Sequence, residues 1–440
     1  MTKIHFETFG CAANIADSEQ MAGLLKAADF IITDSSEEAD VIILNTCTVK
    51  NPTESKIIKR LNELKDGYKI VILAGCIAQS EPDRFKEFPI IGTKQIDKIV
   101  EVVEEALNNN IVRAIATDQM PSLNLPVVRK NPVVEIIPIN RGCLGFCSFC
   151  KTKSARGNLQ SYPTDQIVNR AQKAVNEGVK EIWLTSQDTG CYGFDIKTDL
   201  PTLLEQLIRI PGDFKIRVGM MNPDHLPKIQ NRLIKIYKNS KIFKFLHLPV
   251  QAGNDKVLKD MKRLYTVEQF QEQVASFRQA IPEISIMTDI IVGFPGESPE
   301  QFFETITCLR TAQCEYTNVS KFWPRPNTPA ARIKNTVAGH EIKRRSQVIT
   351  EVAQNIARLQ HEKWHGWQGE IVLSKKGKEE GHFIGYTPSY TQIAVIGDYK
   401  LGQKITVKVT KTGIFSCFGL DTSKNILKSN ENTIKLQVIE

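Results

Sequence analysis

The sequence predicts an α/β protein built as an N-terminal doubly wound α/β domain, a central partial (β/α)6 barrel and a small OB-like β-barrel at the C-terminus. Three observations predict it. Short apolar runs alternate with amphipathic stretches up to about residue 110. A strand-helix unit then recurs six times between residues 133 and 322. After Trp364 the texture changes to short alternating strands. The expected units are residues 1–112, 130–362 and 365–440, a division in keeping with a chain of 440 residues, too long for one ordinary core.

In the first unit, residues 3–9, 40–45 and 69–74 read as strands of a parallel sheet, with helices near 16–28 and 52–65. A cysteine follows each strand: Cys11 in TFGCAANIADSE, Cys47 in NTCTVKNPTES and Cys76 in LAGCIAQSEP. Ligands of open α/β sheets collect at the carboxyl edge of the strands, so these three thiols, 36 and 29 residues apart, should converge. The plain alternative is three unrelated buried cysteines. Residues 111–132, with Pro121, Pro126 and Pro132, read as a linker.

In the second unit the strands fall at 133–139, 180–185, 214–220, 243–250, 284–292 and 315–322, with helices between them at 164–176, 199–209, 226–238, 266–280 and 299–311. Right-handed crossovers would curl these into a partial barrel with its chemistry at the strand carboxyl ends. Directly after the first strand comes RGCLGFCSFCKTKSARG, in which Cys143, Cys147 and Cys150 form a Cys-x3-Cys-x2-Cys run. Three thiolates hold three corners of a cubane and leave the fourth iron open to a small molecule. The usual such partner is S-adenosylmethionine. Structural zinc would need a fourth ligand, and the run has none. Phe149 fits as an aromatic wall beside the cluster. Gln187 and Asp188 after the second strand, Arg217 and Asn222 within and after the third, and Gln251 at the end of the fourth are the groups expected to hold S-adenosylmethionine. Gly293 and Gly296 would let backbone approach it. His247 reads as a satisfied core histidine, and Ser298 as a helix cap before Pro299. Cys191 lies at the active face with no assigned part.

Residues 339–364 read as a long helix whose apolar stripe runs through Ile342, Val348, Ile349, Val352, Ile356 and Leu359, with Lys343, Arg344, Arg345 and Arg358 on its surface. In the tail, strands are expected in GEIVLSKKG, GHFIGYT, TQIAVIG, GQKITVKVTKTG and near 433–439. Ten lysines against seven acids from 366 to 440, with Tyr386, Tyr390, Phe415 and Phe418 interspersed, suit single-stranded nucleic acid if those rings are exposed. A formal net charge of +8 is compatible with such a partner. No run of 18 apolar residues suggests a membrane span, and the N-terminus lacks a secretory layout. A cytoplasmic protein is expected, and cysteines there point to metal or catalysis before disulfides.

The TFGC, NTC and AGC cysteines, the Cys-x3-Cys-x2-Cys barrel and the basic tail together resemble the radical S-adenosylmethionine methylthiotransferase family. GCLGFCSFCKTKSARG is similar to its archaeal and eukaryotic branch, which modifies threonylcarbamoyladenosine in tRNA. The resemblance implies a radical SAM barrel, a TRAM-type tail and two [4Fe-4S] clusters. Cys143, Cys147 and Cys150 would hold the cluster that cleaves S-adenosylmethionine to a radical able to take hydrogen from C2 of adenine. Cys11, Cys47 and Cys76 would hold an auxiliary cluster that presents a methylated sulfur. No side-chain acid or base is expected. The implied partners are the tRNA anticodon stem-loop, an external electron donor and a sulfur donor. Sister branches act on isopentenyladenosine or on a ribosomal-protein aspartate, and Lys151, Thr152 and Lys153 favour the first branch. A non-catalytic zinc and RNA-binding protein is the alternative of a different class.

Overall fold

A computed structural model describes residues 1–48, 51–65, 67, 69–115 and 120–423. The first unit is a six-stranded parallel sheet. In chain order it comprises β1 (Lys3–Thr8), α1 (Ala12–Ala27), β2 (Ile31–Thr33), β3 (Val41–Thr46), α2 (Asn51–Lys65), β4 (Ile70–Ala74), α3 (Gly75–Ser80), β5 (Ile90–Ile91), α4 (Ile99–Leu107) and β6 (Arg113–Ala114). The strand order is β2-β1-β3-β4-β5-β6. Central β3, VIILNT, is buried throughout, as a strand covered on both faces must be. Thr8 pairs with Asn45 and Asn45 with Ala74, so Cys11, Cys47 and Cys76 leave one edge of the sheet two or three residues beyond a shared rung. The stretch from 111 to 132 is not all linker, because Arg113 and Ala114 pair with Ile90 and Ile91 as the sixth strand.

The barrel follows: β7 (Val134–Pro138), β8 (Asn140–Arg141), α5 (Thr152–Arg156), β9 (Gln160–Ser161), α6 (Thr164–Asn176), β10 (Glu181–Thr185), α7 (Leu200–Leu207), β11 (Lys215–Val218) and α8 (Gln230–Tyr237). It continues through β12 (Phe245–His247), α9 (Asp255–Asp260), α10 (Val267–Ala280), β13 (Ser285–Val292), α11 (Pro299–Ala312) and β14 (Tyr316–Lys321) to the long helix α12 (Gly339–Glu362). Two parallel sheets, β11-β10-β7 and β12-β13-β14, meet at a bridge between Ile216 and Ile242. The strand period of two sends Ile216, Val218, Leu246, Ile286 and Ile290 outward into the main core under the helices. It leaves Trp183, Arg217, Phe245 and Met287 on the inner face. Thr266 with Gln269 and Ser298 with Gln301 form capping boxes that start α10 and α11. On α12 the expected surface cation Arg345 is instead buried, its guanidinium bonded to Glu297 and Glu341 at 2.8 Å each. Glu341 also takes Arg344 at 2.7 Å.

The tail is a closed barrel of β15 (Gln368–Lys376), β16 (His382–Tyr386), β17 (Gln392–Ile396), β18 (Lys404–Thr412) and β19 (Cys417–Asp421). Its fifth strand is Cys417–Asp421, which closes the barrel between β17 and β18. The expected strand near 433–439 lies outside the described residues. The tail caps the amino-terminal end of the larger barrel, where Lys244 N–H donates to Pro388 O and Asn131 Nδ2 to Ser374 O, at 2.8 and 2.7 Å. Tyr386 and Tyr390 are not exposed stacking platforms. Their rings stack at 4.2 Å and 4°, and Tyr390 meets Phe243 and Phe245 at 4.9 and 5.0 Å. They are the plug of that cap.

Candidate active site

The N-terminal cysteines gather around one amide. Asn14, fully buried on the first turn of α1, donates through Nδ2 to Phe9 O and Thr46 O at 2.8 Å each, tying together the ends of β1 and β3. Its Oδ1 faces the sulfurs of Cys11 and Cys76 at 4.0 and 3.7 Å. Cys47 packs against Gly10, whose φ of +104° only glycine adopts comfortably. A Cβ there would lie 2.6 Å from the Cys47 sulfur. Gly75, at φ +88°, is equally confined, since a Cβ would meet Asn45 Oδ1 at 2.2 Å. That turn lets α3 begin directly at the end of β4 and aims Cys76 inward.

The barrel cysteines lie on the loop between β8 and α5. Gly145 N–H donates to the Cys143 sulfur at 3.2 Å, and Arg263 Nη1 donates to the Cys147 sulfur at the same distance. A hydrogen bond from Cys191 pulls the Cys143 thiol below its usual range and pushes the Cys191 thiol far up. Burial pushes Cys147 up, and the Arg263 charge opposes it. Cys76 behaves alike: burial raises it, with Arg156 as the opposing cation. Each set of thiols therefore has one buried guanidinium beside it, which favours the thiolate form that ligates metal.

Arg156 belongs to the barrel yet reaches into the N-terminal domain. Its Nη2 donates to Asn14 Oδ1 and its Nη1 pairs with Asp17, both at 2.7 Å. Arg141, on the other side of the cysteine run, pairs with the second Asp17 oxygen at 2.8 Å and donates to Thr93 O and Tyr162 Oη. All three charged groups are at most 2% exposed. A second junction lies nearby: Lys151 pairs with Glu81, while Glu54 takes Arg84 and Arg325 at 2.7 and 2.8 Å. Burial lowers the Lys151 ammonium. The KTKSAR segment is thus the joint between the two domains. Ser154 is exposed, and half-buried Lys153 donates through Nζ to Cys143 O and lies over the exposed ring of Phe146 at 4.5 Å.

Four of the six expected cofactor contacts face the cysteine loop or the strand edge beside it. Gln187 Oε1 accepts the Gly142 N–H at 2.8 Å. Asp188 Oδ1 accepts the N–H groups of Gly190 and Asn222 at 2.9 and 3.0 Å, and burial raises its carboxyl. Asn222 Oδ1 accepts Arg263 Nη2 at 2.5 Å, linking it through that guanidinium to Cys147. Gln251 sits at the strand edge with φ +71°, its N–H on Asp289 O and its own O taking Ile291 N–H. Phe149 packs against the barrel core. Arg217 lies elsewhere. Its guanidinium rests among the rings of Trp183, Phe245 and Tyr390 on the barrel's lower inner face. The reason is register: β11 runs to Val218, so residue 217 is inside the strand rather than beyond its end. His247 pairs with Asp289 at 2.8 Å, the satisfied histidine that was expected. Asp188, Cys191 and His225 bring three donor atoms within 4.8 Å of one another. There Asp188 Oδ1 is already committed to backbone and Cys191 leans on Cys143.

A family profile described as uncharacterized protein family UPF0004 matches residues 3–93, and the radical SAM superfamily profile matches residues 137–309. A Pyrococcus horikoshii protein named probable threonylcarbamoyladenosine tRNA methylthiotransferase is 41% identical, over 89% of this chain and 93% of its own length. The chain belongs to the threonylcarbamoyladenosine tRNA methylthiotransferase family. The Homo sapiens member is 39% identical over 93% of this chain and 72% of its own length. Among solved structures, the radical S-adenosylmethionine methyltransferase TsrM of Kitasatospora setae aligns with a TM-score of 0.54 at 14% identity, covering 75% of each chain, which is a likeness of fold. As a member of this family the protein is a radical SAM enzyme with a [4Fe-4S] cluster and S-adenosylmethionine as cofactors. The donors fit that cluster: three thiols, a backbone N–H on one sulfur and a guanidinium on another. Among the described residues no helix is long and apolar enough to cross a membrane.

Sequence reasoning missed Arg263, Arg156, Asp17 and Asn14. Only Arg156 carried a signal, its place six residues after Cys150.

Proposed function

We propose that this chain inserts a methylthio group at C2 of N6-threonylcarbamoyladenosine beside the anticodon of tRNA, in the cytoplasm. What supports the reading most is one arrangement: two cysteine triplets on two domains, each with a buried arginine beside it, Arg156 and Arg263, and the domains joined where Asp17 pairs with both Arg141 and Arg156. It is found in a chain 41% identical to a protein named for that activity. Cys143, Cys147 and Cys150 hold one [4Fe-4S] cluster, and Cys11, Cys47 and Cys76 a second. When bound, the first cluster with S-adenosylmethionine supplies one-electron chemistry at a ring carbon no side-chain base can deprotonate, and the second supplies the sulfur.

This chain's own residues bind and orient. Gln187 fixes the start of the cysteine loop through Gly142 N–H. Asp188 sets the backbone of Asn222, and Arg263 ties Asn222 to Cys147. Gln187, Asp188, Asn222 and Gln251 would hold S-adenosylmethionine, with Phe149 as an apolar wall. Arg156 and Asp17 fix the distance between the two sites. Residues 1–112, 130–362 and 365–440 act as the auxiliary-cluster, radical SAM and TRAM-like units. An external electron donor and a sulfur donor complete the cycle. A target in the anticodon loop is already partly unstacked, so little duplex must open.

The test is mass spectrometry of nucleosides from tRNA treated with reconstituted enzyme, S-adenosylmethionine and reductant, on threonylcarbamoyl- and isopentenyl-modified substrates. A 2-methylthio product on the threonylcarbamoyl form alone is expected. Product only on the isopentenyl form, or on neither despite active cleavage of S-adenosylmethionine, would refute the assignment.

A further inference from the structure

The barrel, its cap and α12 line a half-open cavity of about 380 Å³, within the range of small-ligand sites. Its walls are mostly apolar and aromatic: Phe245, Met287 and Tyr316 from the barrel, Tyr386 and Tyr390 from the tail, and Phe415 at the rim. Into it points Arg217. The guanidinium lies 5.4, 5.3 and 5.2 Å from the ring centroids of Trp183, Phe245 and Tyr390. Its Nε is buried without a hydrogen-bond partner. Among the described residues no carboxylate pairs with it.

The nearby acids are occupied. Glu181, close enough to feel the Arg217 charge, accepts Trp183 Nε1–H at 2.8 Å. Glu315 in the cavity wall accepts Ile286 N–H at 2.8 Å and pairs with Arg278 and Lys363 at 3.1 and 3.0 Å. An arginine cannot shed its proton when buried, so the cavity keeps a positive charge with ring faces around it and donor edges unused. Such a site fits a small planar anion on an organic stem. A carboxylate matches the guanidinium fork in two parallel hydrogen bonds.

A chain of hydrogen bonds links the cavity wall to the strand edge. Asn318, in its wall, donates to Asp289 Oδ1 at 2.7 Å, and Asp289 O accepts the N–H of Gln251. Arg217 itself is two residues below Gly219, roughly 7 Å at strand rise. In threonylcarbamoyladenosine four bonds separate N6 from the carboxyl carbon, an extended reach of about 5 Å on ordinary bond lengths, and the hydrogen bond from the carboxylate adds about 3 Å, together enough for that descent. The N6 edge of adenine points away from the ribose, so the substituent can enter where backbone phosphate cannot.

We propose that Arg217 binds the threonyl carboxylate of the target base in this cavity, and thereby selects threonylcarbamoyladenosine over isopentenyladenosine. The inference rests on the substrate proposed above. A site built around a buried donor rejects a ligand that leaves the donor unpaired far more strongly than an apolar pocket rejects a misfit. An isopentenyl group carries no acceptor.

The test uses full-length, cluster-loaded protein and anticodon stem-loop RNAs carrying threonylcarbamoyladenosine, its threonine carboxamide, or isopentenyladenosine. Equilibrium binding is measured by fluorescence anisotropy, and KM for RNA and for S-adenosylmethionine where turnover is seen. Wild type should bind the carboxamide on the order of tenfold to a hundredfold more weakly than the acid, the range for a charge-assisted pair. Arg217→Gln should show the same loss on the acid and no further loss on the carboxamide, and Arg217→Lys an intermediate one. KM for RNA should rise while KM for S-adenosylmethionine stays. Equal binding of acid and amide by wild type, retained discrimination in Arg217→Gln, or a rise confined to the S-adenosylmethionine KM would each overturn the proposal. If Arg217→Gln fails to fold, the wild-type comparison of acid with amide decides alone. Absence of 2-methylthio product would refute the proposed reaction, while acid-over-amide binding still reads Arg217.

Discussion

Asp17 is the charge on which the two-domain site turns, and Asp17→Asn tests that directly. The substitution keeps the size of the side chain, so it opens no cavity. It removes the one negative charge between Arg141 and Arg156, which approach the two carboxylate oxygens at 2.8 and 2.7 Å. Neither arginine can neutralise itself, and both are 2% exposed, so neither can turn to water in place. Removing one partner of a buried pair costs about 3–5 kcal/mol, against less than about 1 kcal/mol for an exposed pair. The lower end is expected here, because Arg141 keeps Thr93 O and Tyr162 Oη and Arg156 keeps Asn14 Oδ1.

A loss of about 3 kcal/mol is a large share of the 5–15 kcal/mol that holds an ordinary domain. It should fall on the joint rather than on either core. The assay is hydrogen exchange on the metal-free, reduced protein, following α1 and the 141–157 segment separately from β13 and the tail. The joint amides should lose protection equivalent to about 3 kcal/mol, with β13 unchanged. Iron analysis of the reconstituted variant should show the N-terminal set depleted before the barrel set. Protection lowered by less than about 1 kcal/mol would mean that Asp17 behaves like a surface ion-pair partner, and the argument for a buried joint would fail.

Three further outcomes are expected. Cys47→Ala should leave reductive cleavage of S-adenosylmethionine intact and abolish sulfur insertion, whereas Cys147→Ala abolishes both. Loss of cleavage in the first variant, with its barrel cluster loaded, would count against two separable clusters. Glu19, buried on α1 with Lys130 N–H on its carboxylate at 2.9 Å, is raised to about 7 chiefly by burial. Its contribution to stability is therefore full below its ordinary value of 4.5 and lost as pH rises through about 7. Glu19→Gln, neutral throughout, should gain on wild type by about 2 kcal/mol between about pH 5.5 and pH 8 in denaturant unfolding; a constant difference would show that Glu19 does not titrate in that window. Tyr390→Ala removes the ring held by Phe243, Phe245 and Tyr386 and should cost about 3–5 kcal/mol. Limited proteolysis should then release the tail, and an undisturbed tail would argue that backbone contacts alone seat the cap.

Periodicity carried the reading of the fold as far as local pattern reaches. Residues 40–45 and 284–292 are apolar runs of strand length, and β3 and β13 lie where those runs do. Cysteine placement at strand ends was legible for the same reason, since the edge from which a side chain leaves follows from strand direction alone. Pairing over long range was not. The short CFGLD segment shows no apolar/polar alternation, since its outward positions are Phe418 and Leu420, and it announces nothing until β17 and β18 are seen to need a fifth neighbour. Arg113 and Ala114 make a strand only because Ile90 and Ile91 offer an open edge.

Charge misled where burial decides its meaning. Arg345, Arg156 and Arg141 are as basic in sequence as Lys343, yet each is buried on a specific acid, and nothing local separates a solvated arginine from an ionic joint. Arg217 makes the point most sharply. Strand parity places it on the inner face, but its height, and so the choice between the cofactor at the rim and a cavity below it, depends on where β11 ends. That same register is what turns a residue first read as a cofactor contact into one that faces the far end of the substrate. The two barrels need each other for it: Tyr390 from the tail supplies one of the three rings that surround the guanidinium. The cap that closes the barrel floor thus also shapes the pocket, which gives the tail a part in choosing the base independent of any contact it makes with the RNA backbone.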